Sequence, residues 1–253
     1  MPECIHGFEE GFCDICYPRA APEPVRAARA AASKRNAAQA TITRTENRRA
    51  AAAPPVLLSA QRVYHFTHIR NLEAIASEGA LRSDATPEVD VSSATTRELR
   101  NTTEVPGGGT VGERVPFHMS PEASRWAEVR DGAAGSHWSD AAREASPLEF
   151  VVLVTDASEI GPDVVLADGD AAATLTRFAQ GMDAGTLLLR RLRSDDPDLH
   201  DPEVLAPSPF PFESVVLIGV PNEPMRNRVK KLLASVGNHQ PKVAVYPPWF
   251  QPT

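Results

Sequence analysis

Two groups of residues in this sequence have the types and spacing to do chemistry. Cys4-x-His6 and Cys13-x-x-Cys16 place three thiols and one imidazole within residues 1–18. Two ligand pairs joined by a short loop can supply zinc with a tetrahedral set of three thiolates and one imidazole. Gly7 and Gly11 permit the turns such a knuckle needs. These are the chain's three cysteines, and an odd, clustered set argues for metal before disulfides. The plain alternative is a tail with fortuitous cysteines. The second group is Val63-Tyr64-His65-Phe66-Thr67-His68, read as a short strand and a polar turn opening into a helix. A strand ending in His-x-Thr at a helix start gathers backbone N–H groups and a hydroxyl at one spot, which suits an anion such as a pyrophosphate. Its plain alternative is a strand–helix corner whose His65 is a satisfied core histidine. His65 and His68 are not a hydrolase zinc pair, because they lie three apart on a turn with no third ligand in register.

The elements that must position these groups follow from periodicity. Ile69, Leu72, Ile75 and Ala76 recur at helical spacing, and Gly79 is placed to cap that helix in the left-handed conformation. Residues 83–114 are polar, with a short helical turn at 95–100 and a Pro106-Gly107-Gly108-Gly109 loop. A long irregular segment of this kind is often a lid or binding loop. Strands are expected at 115–119, 149–155, 164–166, 214–220 and 243–246, the second being β-branched and apolar enough for burial on both faces. A helix is expected near Trp126 and Val129. Another is expected over 172–193, with Leu175, Phe178 and Met182 as its core stripe. A last one carries Met225, Val229, Leu232, Leu233 and Val236 on one face, with Lys230 and Lys231 on the other and Gly237 as cap. An acidic loop spans 194–202. Strands without regular βαβ alternation imply an α+β fold.

The chain's 253 residues are 42% apolar with a formal charge of −7. That supports one ordinary core plus extensions and excludes a protein that coats nucleic acid through its net charge. Basic charge is instead local. Residues 19–55 are alanine-rich, carry eight Lys or Arg against Glu23 and Glu46, and lack the large apolar residues needed for a core. They read as a basic linker, either an attraction for phosphates or a solvated tether, closed by Pro54-Pro55. The expected organisation is therefore a zinc knuckle at 1–18, the linker at 19–55 and a main domain at 56–253. No apolar run approaches the roughly 18 residues of a membrane helix, and no signal-peptide pattern opens the chain. A cytoplasmic location is expected, with no membrane partner.

The run Tyr64-His65-Phe66-Thr67-His68-Ile69-Arg70-Asn71-Leu72, followed by Ile75, Gly79 and Leu81, resembles the opening of the DarT family. These are bacterial toxins that transfer ADP-ribose from NAD onto bases of single-stranded DNA. Further motifs arrive in the family's order. Glu98-Leu99-Arg100-Asn101, Val105-Pro106 with its glycine run and Val115-Pro116-Phe117 resemble the NAD-covering loop and the strand after it. The family's essential arginine then falls on Arg100. Pro202-Glu203-Val204-Leu205-Ala206 resembles the family's Ala-Glu-x-Leu-Val signature, which places the catalytic glutamate at Glu203. Pro202 departs from that signature but keeps the chain extended. Glu122 stands where the family tends to carry an arginine. Asp170, in Asp168-Gly169-Asp170-Ala171, stands where it typically has a histidine. The resemblance covers roughly residues 62–247, about three quarters of the chain.

The resemblance implies an ADP-ribosyltransferase-like fold with two small sheets flanking an NAD cleft. It also implies His65, Phe66, Thr67, Ala74, Arg82 and Arg100 at the NAD site, thymidine in single-stranded DNA as acceptor and a cognate antitoxin, of macrodomain type in the family. Cleaving the nicotinamide–ribose bond passes through an oxocarbenium-like transition state, which a carboxylate such as Glu203 stabilises. Phe117, Trp126, Phe210 and Phe212 could stack on a base or serve as core. The departures at 122 and 170 motivate two other readings. One is a transferase acting on a different base or on RNA; the other is a nucleic-acid- or partner-binding module without strong activity.

Overall fold

Strand pairing in the computed structural model, which describes residues 56–195, 201–236 and 239–252, gathers the β-branched runs into one eight-stranded sheet. Its strands are β1 (Arg62–His68), β3 (Arg114–His118), β4 (Phe150–Asp156), β5 (Val165–Ala167), β6 (Phe178–Gln180), β7 (Glu203–Pro207), β9 (Leu217–Val220) and β10 (Lys242–Val245). They lie in the order β10-β9-β4-β1-β3-β7-β5-β6. β9 and β10 are parallel and the other neighbours antiparallel. β2 (Ala80–Leu81) and β8 (Phe210–Pro211) form a separate small pair. The expectation of two small sheets needs correction. β1 runs in full register with β4 and meets β3 at the single pair Tyr64 and His118, so two four-stranded halves are joined there into one sheet.

The helices are α1 (Asn71–Glu78), α2 (Ala94–Thr102), α3 (Ser124–Arg130), α4 (Asp140–Glu144), α5 (Met182–Asp195) and α6 (Glu223–Val236). Side chains alternate across a strand with period two, and that alternation sorts the core. One face carries Val63, Val115, Phe117, Val151, Leu153, Leu166, Val204 and Ala206, packed against Leu72 and Ala76 of α1, Leu189 of α5, and Met225, Val229 and Leu233 of α6. The opposite face holds two smaller clusters. Val152 and Val154, with Tyr64 and Phe66, pack on Trp126 and Val129 of α3 and on Phe250. Val165, Ala167 and Leu205 pack on Val105 and Val111. Between these two clusters the sheet presents polar residues.

Several elements differ from the sequence-based expectation. β1 continues through Thr67 and His68, since β4 offers both a paired residue. The helix expected over 172–193 starts only at Met182. Before it, Leu175 is 90% exposed and Phe178 belongs to β6, which pairs with β5. The strand expected at 214–220 starts at Leu217, after a tight 3-10 turn at Phe212–Ser214. α2 is nine residues long, and its Ser93 cap accepts from the Thr96 amide. Gly79 caps α1 with φ +70° as expected. The four proposed zinc ligands and the basic linker lie outside the described residues. No helix among the described residues is long and apolar enough to cross a membrane.

Candidate active site

Glu203 opens β7, and its side chain is 3% exposed. Its register partners are His118 on β3 and Ala167 on β5. It therefore points to the face that carries the two smaller clusters and sits in the gap between them. Arg100, from the last turn of α2, reaches the same gap. Its Nη1 donates to Glu203 Oε2 at 3.1 Å and, more weakly, to Oε1 at 3.5 Å. A carboxylate this buried needs a paired charge, and Arg100 supplies it. The second guanidinium nitrogen, Nη2, is buried with no hydrogen-bond partner. A buried donor without a partner is costly, so this atom is available to a ligand that brings an acceptor.

These residues line a cavity of about 950 Å³, near the upper end of small-ligand sites. Its walls include His65, Phe66, Thr67, Ala74, Arg82, Arg100, His118, Arg125, Trp126, Trp138 and Glu203. All seven NAD-site and catalytic residues implied by the resemblance thus border one space, although in different states. His65 lies one residue out of phase with Tyr64 and Phe66, on the sheet face opposite Glu203, with its ring centre 5.7 Å from Phe117. Its Nδ1 donates to the Pro116 carbonyl at 2.8 Å, which leaves Nε2 as an acceptor. Desolvation pulls its pKa down to about 4, against the opposing pull of that hydrogen bond. The ring is neutral at physiological pH.

The strand–helix corner is organised differently from the expected anion nest. The Thr67 hydroxyl accepts from Asn71 Nδ2 at 3.2 Å. Asn71 also exchanges hydrogen bonds of 2.9 Å with the Val89 backbone, pinning part of the 83–93 segment beside the cavity. Ala74 and Arg82 are exposed on the rim, and Arg82 pairs with Asp84 at 2.8 Å. Of the four candidate stacking aromatics, Phe117, Phe210 and Phe212 are core residues. Trp126 is buried too, yet it borders the cavity and stacks on Phe66 with ring centres 4.8 Å apart.

Three residues at the site escaped sequence reasoning: His118, Arg125 and Trp138. His118 alternates with the core residues Val115 and Phe117, so period two in Val115-Pro116-Phe117-His118 was a usable signal. Its Nδ1 is buried without a partner. Burial lowers its pKa, outweighing the upward pull of the Glu203 and Asp201 charges. Arg125 lies 3.4 Å from Asp170 and 5.0 Å over the Trp138 ring. The departing residue Asp170 is therefore an ion-pair partner here. Glu122, the other departure, pairs with buried Arg130 at 3.1 Å.

Residues 64–251 match the family model described as ssDNA thymidine ADP-ribosyltransferase, DarT. A DNA ADP-ribosyl transferase of Mycobacterium tuberculosis (strain ATCC 25618 / H37Rv) is 30% identical over 195 residues, covering 69% of this chain and 83% of that protein. Thermus sp. 2.9 DarT in complex with ADP-ribosylated ssDNA shares the fold with a TM-score of 0.65 at 22% identity. That match covers 76% of this chain and 96% of the other. The NAD+ complex of the same Thermus protein gives 0.62 at 23% identity, covering 76% and 98%.

Proposed function

This chain belongs to the DarT family of single-stranded DNA thymidine ADP-ribosyltransferases, and on that premise we propose how its residues carry out the transfer. NAD supplies the ADP-ribosyl group, and thymidine in single-stranded DNA accepts it. Glu203 is the catalytic carboxylate. Its charge opposes the positive charge that develops on the anomeric carbon when the nicotinamide bond breaks. Arg100 holds Glu203 in place and offers its unpartnered Nη2 to the substrate. His65, neutral and with a free Nε2, accepts from a donor group on NAD, and Phe66 with Trp126 supplies an apolar wall. A single strand is the expected acceptor because base edges are occupied in a duplex.

The observation that carries this reading is the Arg100–Glu203 pair, buried between two apolar clusters at the wall of a dinucleotide-sized cavity. The protein is proposed to act in the cytoplasm as the toxin half of a toxin–antitoxin pair, with a macrodomain-type antitoxin. Its transferase domain is proposed to span 56–253, after the linker. Cys4, His6, Cys13 and Cys16 are proposed to hold one structural zinc. Metal analysis tests this: one zinc per chain is expected, lost on Cys13→Ser with Cys16→Ser, and a metal-free native protein would refute it.

Mass spectrometry of short single-stranded DNA and RNA pools after incubation with protein and NAD tests the activity. The expected product is DNA heavier by one ADP-ribose on thymine. A product only on another base or on RNA would replace the acceptor and keep the enzyme class. No product from folded protein with NAD intact would overturn the transferase reading in favour of a binding module.

A further inference from the structure

We propose that His118 is the general base that removes the ring proton of the acceptor base; this rests on the transferase reading above. Thymine in a DNA strand has one ring N–H, at N3, because N1 carries the deoxyribose. For transfer to nitrogen, the bond from ribose to nicotinamide breaks and its electron pair leaves on nicotinamide. N3 forms the new bond to the same carbon as its proton passes to imidazole. The imidazolium then returns that proton to water, so one neutral nicotinamide and one proton are released per transfer. The site must therefore contain a group able to accept a proton beside the reacting carbon.

Most groups at the cavity are already committed. Arg100 is paired with Glu203, and a guanidinium offers donors and no acceptor. Glu203 faces the developing positive charge. Asp170 is paired with Arg125. On the rim, Asp84, Glu88 and Asp90 pair with Arg82, Arg70 and Arg97. His65 lies on the other sheet face, with its Nδ1 held by Pro116 and its Nε2 already assigned to a donor group on NAD. His118 is different. It is the register partner of Glu203, so the two side chains leave adjacent strands on the same side. Its ring centre lies 5.5 Å from that of Phe66, it borders the cavity, and its buried Nδ1 has no partner. The charged groups that act on it are Glu203 and Asp201, which favour the imidazolium, and Arg100 and Arg125, which oppose it. Burial decides the resting state, a neutral ring able to accept a proton. The neighbouring Glu203 carboxylate then stabilises the imidazolium that forms.

The test compares two acceptors with the full-length protein and NAD: an oligonucleotide containing thymine, and one containing 5-fluorouracil, whose ring N–H is more acidic. His118→Gln should slow transfer to thymine by about 100-fold or more, the usual scale of general-base catalysis. The more acidic base depends less on a proton acceptor, so its loss should be about tenfold smaller. The wild type should lose thymine transfer on acidification through a pKa below about 6.5, and the variant should lack that limb. Equal losses on both acceptors would reduce His118 to a structural role, and unchanged transfer would remove it from the reaction; either overturns the proposal. If circular dichroism shows that His118→Gln is unfolded, His118→Asn carries the same comparison. A wild type that modifies neither oligonucleotide overturns the transferase reading itself, and this proposal with it.

Discussion

Arg100 and Glu203 stand 103 positions apart in the chain, yet their side chains meet at 3.1 Å in a pocket where Glu203 is 3% exposed. Burial makes the two charges interdependent. Removing one partner of a buried pair leaves the other uncompensated, at a cost of about 3–5 kcal/mol. Glu203→Gln keeps an acceptor for Arg100 Nη1 and removes only the charge. It should remain folded by circular dichroism and lose transfer by about 10²–10³-fold or more, the scale of removing one electrostatic stabiliser. Full activity in that variant would take Glu203 out of the mechanism. Glu203→Ala should show the same loss together with a clearly lower Tm.

Asp170 pairs with the cavity-lining Arg125, with Trp138 beneath the guanidinium. Installing the family residue by Asp170→His should not improve this enzyme, because it frees Arg125 from its partner. We expect a loss of roughly threefold in kcat/KM for the DNA acceptor, matching a coupling of about 0.5–1 kcal/mol for a partly exposed pair. In Arg125→Ala, the same change at 170 should have a smaller effect, and the double-mutant cycle measures the difference. Additive effects would show that the pair is not coupled.

The local features were the legible ones. The β-branched run of β4, the helical stripe of α1 and the glycine after it could be read directly, because each is fixed by neighbours a few residues away. The 172–193 segment was misread because Leu175, Phe178 and Met182 fit a helical spacing by chance. What decided the matter was the non-local pairing of Phe178 with Ala167 across β5, which no window of sequence contains. Glu203 and Arg100 were legible only through the order of motifs, since neither stands out locally from other charged residues. His118 was missed because its significance comes from register: Glu203 lies 85 positions later, and only the β3–β7 ladder sets them side by side. Asp170 read as a departure until Arg125, on another element, supplied its partner.

Gly79 offers a clean test of a backbone effect. Its φ is +70°, and a Cβ at this position would meet nothing within 4 Å. Gly79→Ala therefore adds no clash, and its cost is that of placing an L-residue in the left-handed region, about 1 kcal/mol. A domain of this size should lose about 2–4 °C in Tm. The Gly79 carbonyl also accepts from the Phe212 amide at 2.9 Å, next to the β2–β8 pair. A loss several times larger would show that the substitution had disturbed that junction too.

His65 ties stability to pH. Its folded pKa of about 4 lies below the ordinary value of 6.5 because the ring is desolvated. Between those two values the unfolded chain binds a proton that the folded chain does not, so stability falls with acidification. The contribution is fully present above about pH 6.5 and is lost progressively as pH drops through 4. His65 alone should account for about 2 kcal/mol between pH 7 and pH 4.5. His118, also lowered by burial, adds in the same direction. Urea unfolding at the two pH values should show the loss in the wild type and a shallower dependence in His65→Gln, which cannot titrate. An identical dependence in both proteins would mean that the acid sensitivity arises elsewhere, and that the Pro116 hydrogen bond leaves His65 close to its ordinary titration.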